Sequence, residues 1–296
     1  MTTEPNEPVP GLVVVDKPGG WTSHDVVGRG RRLASTRKVG HAGTLDPMAT
    51  GVLLLGIGRA TRLLGQLQLT DKEYVATIRL GRSTVTDDAE GEVLADTPAG
   101  HLTRDEVEAA MVPLRGLIAQ VPSAVSAIKV DGQRSYARVR AGEQVELAAR
   151  EVTVDDFSIT ALRVEGDVVD VDVHVACTSG TYVRALARDL GEALGVGGHL
   201  TMLRRTRVGP FTLEHAATIE ELTEQWQVIG LDDATRIAFP SYALSADEAS
   251  DVRFGRTLTG IDLGATGSVA VFDPEGQFLA LYEQRGGTAK PVAVFV

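Results

Sequence analysis

Gly40-His-Ala-Gly-Thr-Leu-Asp-Pro-Met-Ala-Thr-Gly51, continued by Val-Leu-Leu-Leu-Gly-Ile-Gly58 and Arg-Ala-Thr61, is the stretch on which the reading of this chain turns. Asp46-Pro47 with glycines at 40, 43 and 51 describes a loop, since glycine admits backbone angles closed to other residues while proline restricts itself and its predecessor. The apolar run 52–55 that follows has the length of a buried strand. One carboxylate, Asp46, is thus presented beside a buried strand, an arrangement suited to a nucleophile or a general base. Asp-Pro alone is equally at home in an Asx-type turn, so the rest of the chain has to decide.

Upstream, residues 11–16 (Gly-Leu-Val-Val-Val-Asp) form a short apolar strand, and Ser23 stands where it caps a helix whose basic face carries Arg29, Arg31 and Arg32. Downstream, residues 74–80 alternate as a strand. Thr103-Arg-Asp-Glu106 is a capping box that opens a helix through Met111, with Pro113 as its stop. Residues 152–177 set Val169, Val171, Val173 and Val175 against Asp170, Asp172 and His174, which predicts two strands with one solvated face. Gly180 turns the chain into a helix over 181–190 that stops near Gly191. Strands outnumber helices without a regular βαβ rhythm, so the expected class is α+β around a mixed, largely antiparallel sheet flanked by helices.

A boundary falls near Pro240. Beyond it Ser245-Ala-Asp-Glu248 caps a short helix ending at Gly255, and residues 269–272 and 277–283 flank Asp273-Pro-Glu-Gly276, whose Pro and Gly occupy preferred positions of a type I turn. That is a hairpin in a small β-rich module. The expected organisation is a flexible N-terminus over 1–10, a catalytic domain over 11–238 and a C-terminal domain over 241–296.

With 296 residues the chain has ample core for one large and one small domain. No 18-residue apolar stretch appears and the first ten residues lack the basic and apolar regions of a signal peptide, which points to a soluble cytoplasmic protein with no membrane partner. The single cysteine, Cys177, excludes an internal disulfide and reads as a small core residue; six scattered histidines leave no metal-ligand spacing. The net charge of −11 argues against a nucleic-acid partner until its distribution is considered. Eight basic residues (Lys17, Arg29, Arg31, Arg32, Arg37, Lys38, Arg59, Arg62) face only Asp25 and Asp46 between 17 and 62. Four basic residues face Asp131 between 126 and 140, and five face Asp189 and Glu192 between 184 and 207. If they converge, these segments make an RNA-binding cleft on an acidic body; singly, each is ordinary solvated charge.

The 40–61 string closely resembles the catalytic motif of the TruB family, the pseudouridine synthases that modify the T-arm of tRNA. The resemblance continues in order from about residue 11 to residue 210. Lys17-Pro-Gly-Gly-Trp-Thr-Ser23 matches the family's opening Lys-Pro loop and Lys72-Glu-Tyr74 its tyrosine strand. Gln120-Val-Pro-Ser-Ala-Val-Ser-Ala-Ile-Lys129, with Gly132 and Tyr136, matches the segment leading into an RNA-gripping loop. Ser179-Gly-Thr-Tyr-Val-Arg184 and Leu203-Arg-Arg205 complete the set. The C-terminal module looks like the PUA or PUA-like domain of the same proteins.

This resemblance implies a pseudouridine synthase fold and an isomerase acting on uridine 55 of the T-loop, with neither cofactor nor metal. It implies a cytoplasmic monomer that needs no guide RNA, since the chain lacks the long basic tail of guide-dependent relatives. By resemblance Asp46 is the essential carboxylate, Arg184 the cation that keeps it ionised, and Tyr74 the ring that stacks on a flipped uracil. Among RNA-binding residues it implies His41, which fills space in the RNA stack, Leu203 against the uracil, and Lys17, Asp88, Lys129 and Arg205. One departure stands out: where the family commonly shows Thr-Asp-Thr-x-Asp-x-x-Gly, Thr84-Val-Thr-Asp-Asp88-Ala-Glu-Gly91 has Val85 in place of the first Asp.

Two other functions compete. A nucleoside glycosidase working through Asp46 would release free uracil, although retaining glycosidases use two carboxylates and this loop supplies one. A non-catalytic tRNA-binding or folding module would need only the basic segments and the C-terminal module, yet pure binding has no use for an anionic pocket centre.

Overall fold

The computed structural model describes residues 9–123, 129–130, 133–134 and 147–296, with only the backbone described at 129–130 and 133–134. Strand β1 (Gly11–Lys17) is nearly all buried, as its unbroken apolar run requires, and leads into helix α1 (Ser23–Leu33). Ser23 is not the cap. Thr22 is, because Asp25 lies three residues after it: the Thr22 hydroxyl accepts from the Asp25 N–H at 3.1 Å and the Asp25 carboxylate accepts the Thr22 N–H at 2.8 Å. Antiparallel strands β2 (Val39–Ala42) and β3 (Thr50–Ile57) bracket the Asp46 loop, with His41 opposite Leu55. A 3₁₀ turn (Gly58–Leu63) and helix α2 (Leu64–Gln68) follow.

Next come β4 (Lys72–Leu80), β5 (Arg82–Thr84), β6 (Val93–Asp96) and α3 (Arg104–Met111), which has its Thr103/Glu106 capping box and gives way to a 3₁₀ turn containing Pro113. Then come β7 (Gly116–Gln120), the paired β8 (Lys129–Val130) and β9 (Gln133–Arg134), β10 (Arg150–Glu165), β11 (Val168–Cys177), α4 (Val183–Ala193) and β12 (Gly198–Val208). Helix α4 starts later than expected and runs through Gly191. A Cβ at Gly191 would lie 2.2 Å from the Gly197 carbonyl carbon, so this glycine serves close backbone packing rather than termination.

The remainder comprises β13 (Phe211–Thr212), α5 (Ile219–Glu224), β14 (Ile229–Gly230), α6 (Leu231–Ala238), β15 (Ser241–Ala243), α7 (Ala246–Arg253), β16 (Leu258–Thr259), β17 (Ser268–Phe272), β18 (Phe278–Arg285) and β19 (Thr288–Val294). Ser245 caps α7 as its spacing to Glu248 predicts, and the Gly276 N–H closes the turn onto the Asp273 carbonyl at 2.9 Å.

The chain forms two compact units. One contains the residues up to Asp46, Val52–Gln68 and Val208–Val296. In it β1 lies between β14 and β3, β2 pairs with β3, and a five-stranded sheet runs β15-β17-β18-β19-β16. Leu12, Val14, Val52 and Leu54 share one buried cluster with Phe211, Phe272, Phe278 and Phe295, so the C-terminal module is built into this core. The Phe278 and Phe295 rings meet at 5.0 Å, and Arg59 and Arg62 donate to the carbonyls of Phe295 and Val294 at 2.8 and 2.7 Å.

The other unit contains Pro47–Gly51 and Leu69–Arg207. Its sheet runs β12-β4-β11-β10-β7, antiparallel along β4, β11, β10 and β7. Val169, Val171, Val173 and Val175 are buried as the alternation predicts. The polar face is tied by ion pairs, Arg79 to Asp170 at 2.7 Å and Arg163 to Asp172. The start of β3 joins this unit in parallel register with β12, Thr50 opposite Arg204 and Gly51 opposite Arg205. Only glycine fits at position 51: φ is +100° and a Cβ would lie 2.1 Å from the Arg205 carbonyl oxygen. Among the described residues no helix is long and apolar enough to cross a membrane.

Candidate active site

Lys17, Ser23, His41 and Asp46 fall in the first unit. Lys17 is fully buried at the end of β1, and its ammonium donates to the carbonyls of Pro18 at 2.9 Å and Trp21 at 2.6 Å. It was expected among the RNA contacts; the structure shows it bracing the Lys-Pro loop with its charge turned inward. That loop delivers Thr22 to its capping position. The Asp25 carboxyl is held below the usual range chiefly by its bonds from Thr22. Ser23, buried in the first helical turn, donates its hydroxyl to the Leu45 carbonyl at 3.1 Å and accepts the Leu45 N–H at 2.9 Å. Helix α1 thereby anchors the residue preceding Asp46. Asp46 itself is half-buried, and the turn before it uses Gly43 at φ +86°. His41 stands edge-on to His24, the ring centres 5.7 Å apart.

Tyr74, Asp88, Arg184, Leu203 and Arg205 fall in the second unit. Tyr74 is buried on β4 opposite Val175 of β11. Two residues before it, Lys72 donates to the Thr70 carbonyl at 2.5 Å, and burial, with the Arg205 cation as a second cause, pulls its ammonium down to about 8. Opposite Lys72, burial pushes the Cys177 thiol up to about 11. Leu203 is buried on β12. Arg205, only 1% exposed, is the largest fully buried side chain among the described residues, so like Lys17 it does not offer its charge to solvent.

Asp88 and Arg184 are brought together. Arg184 projects from the first turns of α4, buried, and donates to Asp88 Oδ2 at 3.2 Å and to the Thr86 carbonyl at 2.8 Å. The other carboxylate oxygen of Asp88 accepts the Thr86 hydroxyl at 2.5 Å and the Glu90 N–H at 3.1 Å. A guanidinium so held presents a fixed positive charge, and breaking a buried pair of this kind strands a charge away from water. Asp88, expected near RNA or base, is thus engaged with Arg184. Val85, the departure from the family pattern, is exposed while Thr84 and Asp88 beside it are buried. The side chains of Lys129 and Arg134 lie outside the described residues, and Gly132, Tyr136, residues 124–128 and the first eight residues lie outside them entirely.

Sequence reasoning missed the Ser23–Leu45 exchange, the buried Lys72, and a second arginine, Arg188, four residues after Arg184 and 3.4 Å from Asp87. The last had a signal: consecutive aspartates at 87–88 and arginines at helical spacing, 184 and 188.

The model of the TruB family pseudouridylate synthase N-terminal domain matches residues 31–183, that of the tRNA pseudouridylate synthase B C-terminal domain matches 184–237, and that of the tRNA pseudouridine synthase II C-terminal region matches 239–296. A protein named tRNA pseudouridine synthase B from Arthrobacter sp. (strain FB24) is 60% identical over 294 residues, covering 96% of each chain. One of the same name from Thermobifida fusca (strain YX) is 60% identical over 289 residues, covering 96% of this chain and 98% of its own. Among solved structures, a chain of a Cbf5-Nop10-Gar1 complex superposes with a TM-score of 0.73 at 26% identity, over 99% of this chain and 91% of its own. The chain belongs to the TruB family of pseudouridine synthases.

Proposed function

We propose that this protein isomerises uridine to pseudouridine in tRNA, at uridine 55 of the T-loop, with Asp46 as the nucleophile. The observation that carries the reading is its near-full-length likeness to relatives named tRNA pseudouridine synthase B, at 54 to 60% identity. Isomerisation breaks the bond from N1 to C1′, turns the uracil and joins C5 to C1′. The carboxylate must therefore act where water cannot capture the activated sugar. Asp46 supplies that carboxylate. Arg184, gripped by Asp88 and the Thr86 carbonyl, supplies a positive charge that needs no reorganisation during the reaction. The uridine has to leave its stack, at a cost of a few kcal/mol, and the Tyr74 ring receives it with Leu203 beside it. His41 takes up space in the RNA stack. Lys17 and Arg205 act from inside, shaping the Lys-Pro loop and the β3–β12 junction, while exposed basic residues such as Arg32, Arg37 and Lys38 take the phosphates. The protein works as a monomer without a guide RNA, cofactor or metal.

The test is incubation of the purified protein with an unmodified tRNA transcript alone, mapping pseudouridine by position and assaying free uracil. Pseudouridine at position 55 with no uracil release is expected. Uracil release would establish a glycosidase, and binding without either product a folding module. Asp46→Asn should abolish isomerisation while tRNA affinity changes by less than about tenfold, roughly 1.4 kcal/mol.

A further inference from the structure

Arg184 and Arg188 are four residues apart on α4 and share a helical face, and consecutive aspartates meet them. Asp88 Oδ2 lies 3.2 Å from Arg184 Nη1, and Asp87 Oδ2 lies 3.4 Å from Arg188 Nη1. Neighbouring side chains on an extended segment point to opposite sides. Both carboxylates reach one helix here because Asp87 adopts φ +58°, a left-handed conformation that aspartate and asparagine tolerate better than most residues. The bend is held at both ends: the Asp87 N–H donates to the Thr84 carbonyl at 3.3 Å, and the Asp87 carbonyl accepts the Leu200 N–H at 3.0 Å.

Arg188 is a junction. Its Nε and Nη2 donate to Asp189 Oδ1 at 2.9 and 2.7 Å, and Nη2 also donates to the Val121 carbonyl at 2.7 Å, just beyond the end of β7. Next to Val121, the Gln120 side chain donates to the Tyr182 carbonyl at 3.1 Å and accepts the Tyr182 N–H at 2.8 Å, immediately before α4. The first turns of this helix therefore hold the 86–88 bend and also the chain leaving β7.

We propose that Asp87 and Arg188 are a positioning pair for the isomerisation: they lock the 86–88 bend against α4 so that Asp88 and the Thr86 carbonyl hold the Arg184 guanidinium in one orientation, and they tie that orientation to the backbone at Val121. This rests on the reading that Arg184 works in the reaction; Asp87 and Arg188 act through it.

The test compares Asp87→Asn and Asp87→Gly, both compatible with the positive φ, with Arg188→Gln, Arg188→Lys and the Asp87→Asn/Arg188→Gln double variant. Single-turnover pseudouridine formation at saturating enzyme, tRNA affinity and melting temperature are measured for each full-length protein. A pair that only supported the fold would move the melting temperature and leave the saturating rate of folded protein unchanged. Positioning predicts that Asp87→Asn and Arg188→Gln each lose about tenfold or more in saturating rate while affinity stays within about threefold, and that the double variant loses no more than the worse single one. Arg188→Lys, which keeps the charge, should retain more of the rate than Arg188→Gln. Near-wild-type saturating rates in the folded single variants, or losses that multiply in the double, would overturn the pair. Should the Asp87 variants fail to fold, the partly exposed Arg188 carries the test through its Gln and Lys variants. Arg184→Lys run alongside separates the two readings: full turnover there removes the role of Arg184, whereas an inactive Arg184→Lys beside a fully active Asp87→Asn removes only the positioning pair.

Discussion

Ser23 Oγ accepts the Leu45 N–H at 2.9 Å and donates to the Leu45 carbonyl at 3.1 Å, so the first turn of α1 holds both backbone groups of the residue before Asp46. Because the hydroxyl is buried, Ser23→Ala leaves a buried N–H and carbonyl without this partner, a loss of about 1 to 3 kcal/mol in stability. If the clamp also aims the Asp46 loop, the folded variant should lose turnover while tRNA affinity is kept. Denaturant unfolding together with single-turnover rates decides it; unchanged stability would mean that water replaces the hydroxyl without cost.

What the sequence disclosed and what it hid follow from the range of the interactions. The Asp46 loop was legible because glycine and proline write backbone geometry directly into composition, and Gly51 turns out to be required by the Arg205 carbonyl. Ser23 was misread because two adjacent residues have capping side chains. The spacing to Asp25 favours Thr22, whereas the partner that Ser23 actually takes lies twenty-two residues on. Lys17 and Arg205 look like surface charge by type. Their burial depends on carbonyls and strands supplied by the fold, which no local pattern encodes. The Asp88–Arg184 pair spans ninety-six residues and becomes visible only once α4 is laid beside the 84–91 loop.

Tyr74 separates stacking from proton transfer. If its ring chiefly holds the flipped base, Tyr74→Ala should weaken binding of that state by about 1 to 3 kcal/mol beyond Tyr74→Phe. Because Tyr74 is buried, melting temperatures have to accompany the affinities, so that a cavity in the sheet is not counted as lost stacking. Equal binding by the two variants would remove the stacking role. A Phe variant that binds well and cannot turn over would assign the work to the hydroxyl.

Lys72 makes stability depend on pH in a direction opposite to that of a surface lysine with a partner. Its folded ammonium titrates at about 8 against an ordinary 10.5, so between those values the unfolded chain binds more protons and stability gains from Lys72 as pH rises. Below about 8 both states are protonated and the full cost of burying the charge is present. Cys177 opposes the trend above pH 9, since its thiol stays protonated to about 11 when folded and the unfolded thiol ionises earlier. Comparison with Lys72→Met isolates the lysine. From pH 7 to 10 the wild type should gain stability relative to the variant in denaturant melts, and parallel pH curves would show that the ammonium is not desolvated.

The acidic chain still has to meet a polyanion. Arg32 and Arg37 are exposed at and just beyond the end of α1, with exposed Lys38 beside them, while Arg29 is bonded to the Thr223 hydroxyl at 2.7 Å and Arg31 to the Val39 carbonyl at 3.4 Å. A cation in the last turn of a helix is also favoured by the helix dipole alone, so exposure by itself does not make a phosphate contact. Salt separates the two. If Arg32 and Arg37 each neutralise a phosphate, the logarithm of tRNA affinity should fall linearly with the logarithm of salt, and Arg32→Ala/Arg37→Ala should flatten that line by roughly 0.7 to 0.9 per contact. Asp46→Asn should keep the wild-type slope, because its lesion is chemical. An unchanged slope in the double arginine variant would leave these side chains as solvated partners of the helix end and move the phosphate track to other basic segments of the chain.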